Sequence, residues 1–144
     1  MLIGEHTHTL DSKKRLAIPA KFRKELGEGA VLTKGLDSCL FMFPNAQWHQ
    51  LAQKIAGLSL GQQDTRSFSR LLLAGAVEVD FDGLGRILVP DYLKSYAGLT
   101  RQVVVVGLYS RLELWDEARW DSYRANIEQH SDQIAEKLGE LGFV

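Results

Sequence analysis

LDSKKRLAIP, Leu10 to Pro19, returns 71 residues later as FDGLGRILVP, Phe81 to Pro90, with Asp, Arg, an apolar pair and Pro in the same order. Only the first copy carries lysines. The same offset pairs Phe22 with Leu93 and Gly27 with Gly98. One inserted residue then shifts the offset to 72, which aligns GLDSCLFMFPNAQW (Gly35 to Trp48) with GLYSRLELWDEARW (Gly107 to Trp120). So many ordered matches describe two copies of one structural unit.

Each copy has the same local grammar. Thr7 to Leu10 and Val77 to Phe81 predict strands, Asp-x-x-x-Arg a hairpin tip, and Leu16 to Ile18 and Ile87 to Val89 the return strands. Pro19 and Pro90 open short helices, which bury Phe22 with Leu26, or Leu93 with Ala97, and stop at Gly27 or Gly98. Further strands follow at Val31-Leu32 and Leu40 to Phe43, and at Val103 to Val106 and Leu112 to Trp115. A longer helix comes after each pair, with a second connector helix expected over Thr65 to Ala76. Trp48, Trp115, Trp120 and Tyr123 fall at repeat-matched places and read as core in preference to subunit interface.

Strands this short leave sheet edges that half a chain cannot cover. The expected fold is therefore α+β: two internal repeats joined as a pseudo-two-fold β-barrel with flanking helices, both hairpin tips projecting from one end. The repeats occupy residues 5–48 and 77–120, with a helical connector at 49–76 and a helical tail at 121–144.

A chain of 144 residues, 45% hydrophobic, is long enough to build this core without disulfides. Its one cysteine, Cys39, lies beside an apolar strand and reads as an inert buried thiol, which suits a reducing cytoplasm. A leader pattern and an apolar run near the ~18 residues of a membrane span are both missing, so a soluble intracellular protein without a membrane partner is expected. The net charge of −1 hides an uneven distribution: +4 over Thr9 to Gly27, −1 over Asp80 to Gly98, and −4 over Asp116 to Glu140.

Within each tip the Asp can accept turn N–H groups and face the Arg across the mouth, so Asp11 and Asp82 are expected to structure the tips. Lys13, Lys14 and Arg15 place three adjacent cations on one turn, an arrangement that favours a polyanionic partner. Arg86 stands in the matching place with little other charge around it.

The two DXXXR motifs, at Asp11 to Arg15 and Asp82 to Arg86, followed by RLAIP and RILVP, resemble those of the MraZ family of bacterial transcriptional regulators. RLLLAGAVEVDFDGLGRILVP and VGLYSRLELWDEARW extend the likeness to about Trp120. The resemblance implies two SpoVT-AbrB-like domains forming a swapped-hairpin barrel, a ring-shaped homo-oligomer, and a nucleoid-associated cytoplasmic regulator. It also implies binding to double-stranded promoter DNA, at short direct repeats ahead of the division and cell-wall gene cluster that includes its own gene. By the same resemblance Arg15, Lys13, Lys14 and Arg86 are the DNA contacts. Lys14 departs from the glycine that commonly precedes the tip arginine, as Gly85 does here.

Other readings are weaker. His6-x-His8 puts two imidazoles on one strand face, but the sequence supplies no completing ligand, so no metal is expected. Ser12, Ser38 and Ser110 lie near no evident base, and no phosphate-binding glycine loop occurs, so neither an enzyme nor a cofactor is expected. A structural ring or interaction scaffold without sequence-specific DNA binding is the remaining alternative. The tips differ, three cations against one, which argues against a palindromic target, while a head-to-tail ring argues for direct repeats.

Overall fold

The computed structural model of the chain describes residues 1–143. The strands are β1 (Leu2–Thr9), β2 (Arg15–Ala17), β3 (Gly29–Lys34), β4 (Leu40–Pro44), β5 (Val77–Asp80), β6 (Arg86–Leu88), β7 (Gln102–Tyr109) and β8 (Leu112–Asp116). The helices are α1 (Ala20–Leu26), α2 (Asn45–Ala56), α3 (Gln63–Ser69), α4 (Asp91–Ala97), α5 (Glu117–Gln129) and α6 (Ser131–Glu140). The expected connector helix over Thr65 to Ala76 is instead α3 running into a π-helical turn, Arg70–Ala74. There the Thr33 hydroxyl donates to the Leu72 carbonyl at 2.7 Å, taking up an acceptor the widened turn presents.

Six strands form one antiparallel sheet in the order β1-β7-β8-β4-β3-β5, and β2 and β6 form a separate ribbon. Exchanging the repeats turns that order into itself reversed, so a pseudo-two-fold axis passes between β8 and β4. Phe41 and Glu113, equivalent at offset 72, face one another across it. The first strand of each repeat pairs with the third strand of the other: β1 with β7, and β5 with β3. The return strands likewise pair across repeats, with Leu16 opposite Ile87.

The closed barrel expected from the sequence is not formed. The sheet ends at two edges, β1 and β5, and the ribbon lies across the opening between them, β2 against β1 and β6 against β5. A single bridge, Leu10 to Leu16, joins ribbon to edge. Return strands of three residues are too short to carry a full ladder, and side-chain packing does the joining: Leu10, Leu16, Ile87 and Val89 all belong to the main core.

That core lies between the sheet, the ribbon and the two short helices. Phe22 and Leu26 of α1, and Leu93 and Ala97 of α4, are buried in it at the expected i, i+4 spacing. Gly27 and Gly98 end these helices with positive φ. The opposite face of the sheet carries a smaller cluster of Cys39, Val104, Val106 and Trp115, with Phe41 and Trp120 against it. Cys39 is fully buried, and burial pushes its thiol pKa upward, which keeps it protonated.

Of the aromatic stripe, Trp115 alone is core. Trp48 and Trp120 are half-buried and Tyr123 is 39% exposed. Helices α5 and α6 bury no residue, and α5 is held by the Trp120 indole and Arg124 guanidinium, both donating to Glu5. No helix among the described residues is long and apolar enough to cross a membrane.

Candidate nucleic-acid interface

The two hairpin tips have the same backbone. In the first, Asp11 N–H donates to the Arg15 carbonyl and Lys14 N–H to the Asp11 carbonyl; in the second, Asp82 and Arg86, and Gly85 and Asp82, do the same at 2.9 Å. Asp11 Oδ1 accepts the Lys13 and Arg15 N–H groups at 2.9 Å, and its Oδ2 accepts Arg15 Nε at 2.8 Å. Asp82 accepts the Leu84 and Arg86 N–H groups and Arg86 Nε at the same distances. The Asp-x-x-x-Arg spacing thus fixes both the turn and the direction of the guanidinium.

These bonds favour the ionised carboxylate. The Arg15 backbone N–H is the main cause holding the Asp11 pKa below its ordinary value, with the Arg15 side chain and the Lys13 N–H adding and partial burial opposing. The Arg86 N–H plays the same leading part for Asp82. Such stabilisation is present above the ordinary aspartate pKa and is lost as pH falls through the lowered folded value.

Lys14 has φ +62° and Gly85 φ +75°. The turn type is therefore the same in both copies, and the first places a lysine in the left-handed region that glycine enters without strain.

The ribbon brings the tips side by side. Arg86 Nη1 lies 3.9 Å from Asp11 Oδ2, and the Val89 and Ile18 N–H groups donate across to the Lys14 and Gly85 carbonyls at 2.8 and 3.1 Å. Because strand neighbours alternate, Leu16 and Ile87 point inward, 0% and 1% exposed, while Arg15, Ala17, Arg86 and Leu88 share the outer face. Arg15 and Arg86 are braced and part-buried, 36% and 25% exposed along the side chain, where an open position was expected. Their Nε atoms are taken by the aspartates, so the outer amino groups remain to meet a ligand. Leu88, 58% exposed, and Leu84, 71% exposed at the second tip, add apolar surface beside them.

The lysines part company. Lys13 is exposed and makes no ion pair among the described residues, whereas Lys14 Nζ pairs with Asp91 Oδ2 of the other repeat at 2.7 Å. Two cations that the linear sequence does not connect with the tips also lie here. Arg23 of α1 packs over Gly85, and Lys94 of α4, its equivalent at offset 71, lines a cleft with Asp11, Ser12, Thr100 and Arg101 beside the first tip. With Lys14 offset by Asp91, the first tip keeps Lys13 and Arg15 and gains Lys94, while Arg23 joins Arg86 at the second, three cations against two. Folding narrows the unequal charge expected from the sequence and leaves the first tip the more basic.

Elsewhere the chemistry is sparse. His6 stacks edge-on against Phe22 at 5.4 Å between centroids, and burial with the neighbouring His6 lowers the His8 pKa. Among the described residues no group of three His, Cys, Asp or Glu side chains could hold a metal ion.

The family model described as "MraZ protein, putative antitoxin-like" matches the chain twice, over residues 1–71 and 72–140. Similar proteins include the transcriptional regulator MraZ of Carboxydothermus hydrogenoformans, 46% identical over 138 residues and 96% of both chains. Proteins of the same name from Acetivibrio thermocellus and Clostridium tetani are 44% and 46% identical, each over 99% of both chains.

Proposed function

The chain belongs to the MraZ family, and we propose that it is a DNA-binding transcriptional regulator whose paired tips meet double-stranded promoter DNA. The observation that carries this reading is the ribbon: two stapled arginines share one outward face, beside a tip that exposes Lys13, on a two-stranded element of the size that enters a major groove. On this reading Arg15 and Arg86 reach base edges or phosphates, Lys13 and Lys14 serve phosphates, and Asp11 and Asp82 structure the tips without touching DNA.

The finer reading is a cytoplasmic, nucleoid-associated regulator that binds short direct repeats ahead of the division and cell-wall gene cluster, its own gene included. Cross-repeat strand pairing within the chain supports a swapped-hairpin architecture, with repeat units at residues 5–48 and 77–120. Copies joined head to tail form a ring that offers the same tips repeatedly in one orientation, and this geometry, not a charge difference between tips, calls for direct repeats.

The test is a footprint on the duplex upstream of its own reading frame, followed by binding to altered spacings. Inverting one repeat or inserting ~5 bp between repeats abolishes tight binding, and inserting ~10 bp largely restores it. Equal binding to all of these, with no preference over scrambled DNA, leaves nonspecific attachment by a scaffold as the better account.

A further inference from the structure

Gly85 has no side chain, yet the space where one would begin is filled. A Cβ built there would meet Arg23 Cζ and Nη1 at 2.4 Å, so the guanidinium of the first repeat's helix lies flat over the second repeat's tip. It is held in place by Nε, which donates to the Ile18 carbonyl at 3.0 Å, while the Ile18 N–H donates to the Gly85 carbonyl at 3.1 Å. One backbone residue thus ties Arg23 to the tip. Among the described residues no acid pairs with Arg23.

The equivalent place at the first tip is occupied by Lys14 itself, whose ammonium runs to Asp91. Position 91 corresponds to Ala20 at the offset of 71, so the second tip lacks both the lysine and its acid. We propose that Arg23 is a DNA-phosphate contact of the second tip, supplied by the other repeat in place of the side chain that Gly85 omits. The proposal rests on the DNA-binding reading of the tips and names a residue outside either Asp-x-x-x-Arg motif. It also fits Gly85: Lys14 shows that the left-handed backbone admits a side chain, and a Cβ at position 85 would push the guanidinium from this place.

The experiment measures binding by fluorescence anisotropy across a salt series, using the duplex upstream of the protein's own reading frame and a scrambled duplex of equal composition. Thermal unfolding is followed in parallel. Arg23→Gln lowers the magnitude of the log-affinity against log-salt slope by about 0.9 for each second tip engaged, and Arg23→Lys keeps it. Adding Gly85→Lys to Arg23→Gln returns a cation to the place and restores the slope. A wild-type slope in Arg23→Gln overturns the proposal. Arg15→Ala separates the two levels: if it lowers the slope while Arg23→Gln does not, only the role of Arg23 fails. If the wild type itself shows no preference for the upstream duplex, the regulator reading fails with it.

Discussion

At the first tip a lysine stands in the left-handed position and reaches across to Asp91; at the second a glycine stands there and Arg23 lies over it. The backbones match bond for bond, yet the residues that complete them come from different places in the chain. The difference teaches that the two-fold relation is one of backbone geometry, and that residue identity has drifted beneath it. In both cases the completing group is contributed by the opposite repeat, Asp91 to the first tip and Arg23 to the second.

That comparison breaks first at the ribbon. Leu16→Ala and Ile87→Ala remove equivalent, fully buried side chains facing one another, and each should cost about 2–5 kcal/mol in denaturant unfolding. Closely matched losses uphold the two-fold packing; a large loss at one site and a small loss at the other would show that the ribbon leans on one repeat. Next come the arginines. Arg15→Ala and Arg86→Ala should each weaken binding to the upstream duplex by roughly ten- to a hundred-fold per engaged tip, with folding little changed. Arg15 should lose more, since Asp11 also draws on Arg86 Nη1. Wild-type affinity in Arg86→Ala would reduce the second tip to a structural copy of the first.

The smallest effect sharpens the comparison most. Lys13→Gln should lower the salt slope by about 0.9 per engaged first tip, and Lys14→Gln by less, because its ammonium is committed to Asp91. Asp91→Asn should release Lys14 and steepen the slope. Equal slopes for the two lysine variants, with none gained in Asp91→Asn, would mean that the Lys14–Asp91 pair opens on DNA at no cost, as exposed ion pairs often do.

Much of this was legible in the linear chain because the repeat is written in residues with strong local meaning. Asp-x-x-x-Arg, Pro19 and Pro90, and Gly27 and Gly98 locate tips, helix starts and helix stops, and the burial of Phe22, Leu26, Leu93 and Ala97 follows from spacing alone. Strand partners were harder to assign. Apolar alternation says which face of β1 is buried but not that its neighbour is β7, over ninety residues away. The open sheet is not legible in the linear chain, because the return strands have only three residues of ladder each and no local pattern announces so short a pairing. Trp120 and Tyr123 look like core by composition and by period, but α5 buries no residue, and Trp120 only partly covers the smaller cluster. Arg23 escaped notice for a different reason: nothing local marks it. The available signal was the mismatch between repeats, Lys14 against Gly85 and Ala20 against Asp91, which shows one charged group absent from each copy.

The exchange of first strands has a consequence in time. Leu2 pairs with Tyr109 and Leu16 with Ile87, so the ladder closes loops of about a hundred and about seventy residues before any reward arrives. Such topology folds slowly for its size and as one unit. On the ribosome, where chains grow at about 5–20 residues per second, the first repeat waits on the order of several seconds for its partner strands to emerge. During that interval β1, β2 and the apolar side chains behind them form a template with its complement still unmade. The half-synthesised chain is therefore the protein's most vulnerable form, and the one most in need of a holding chaperone.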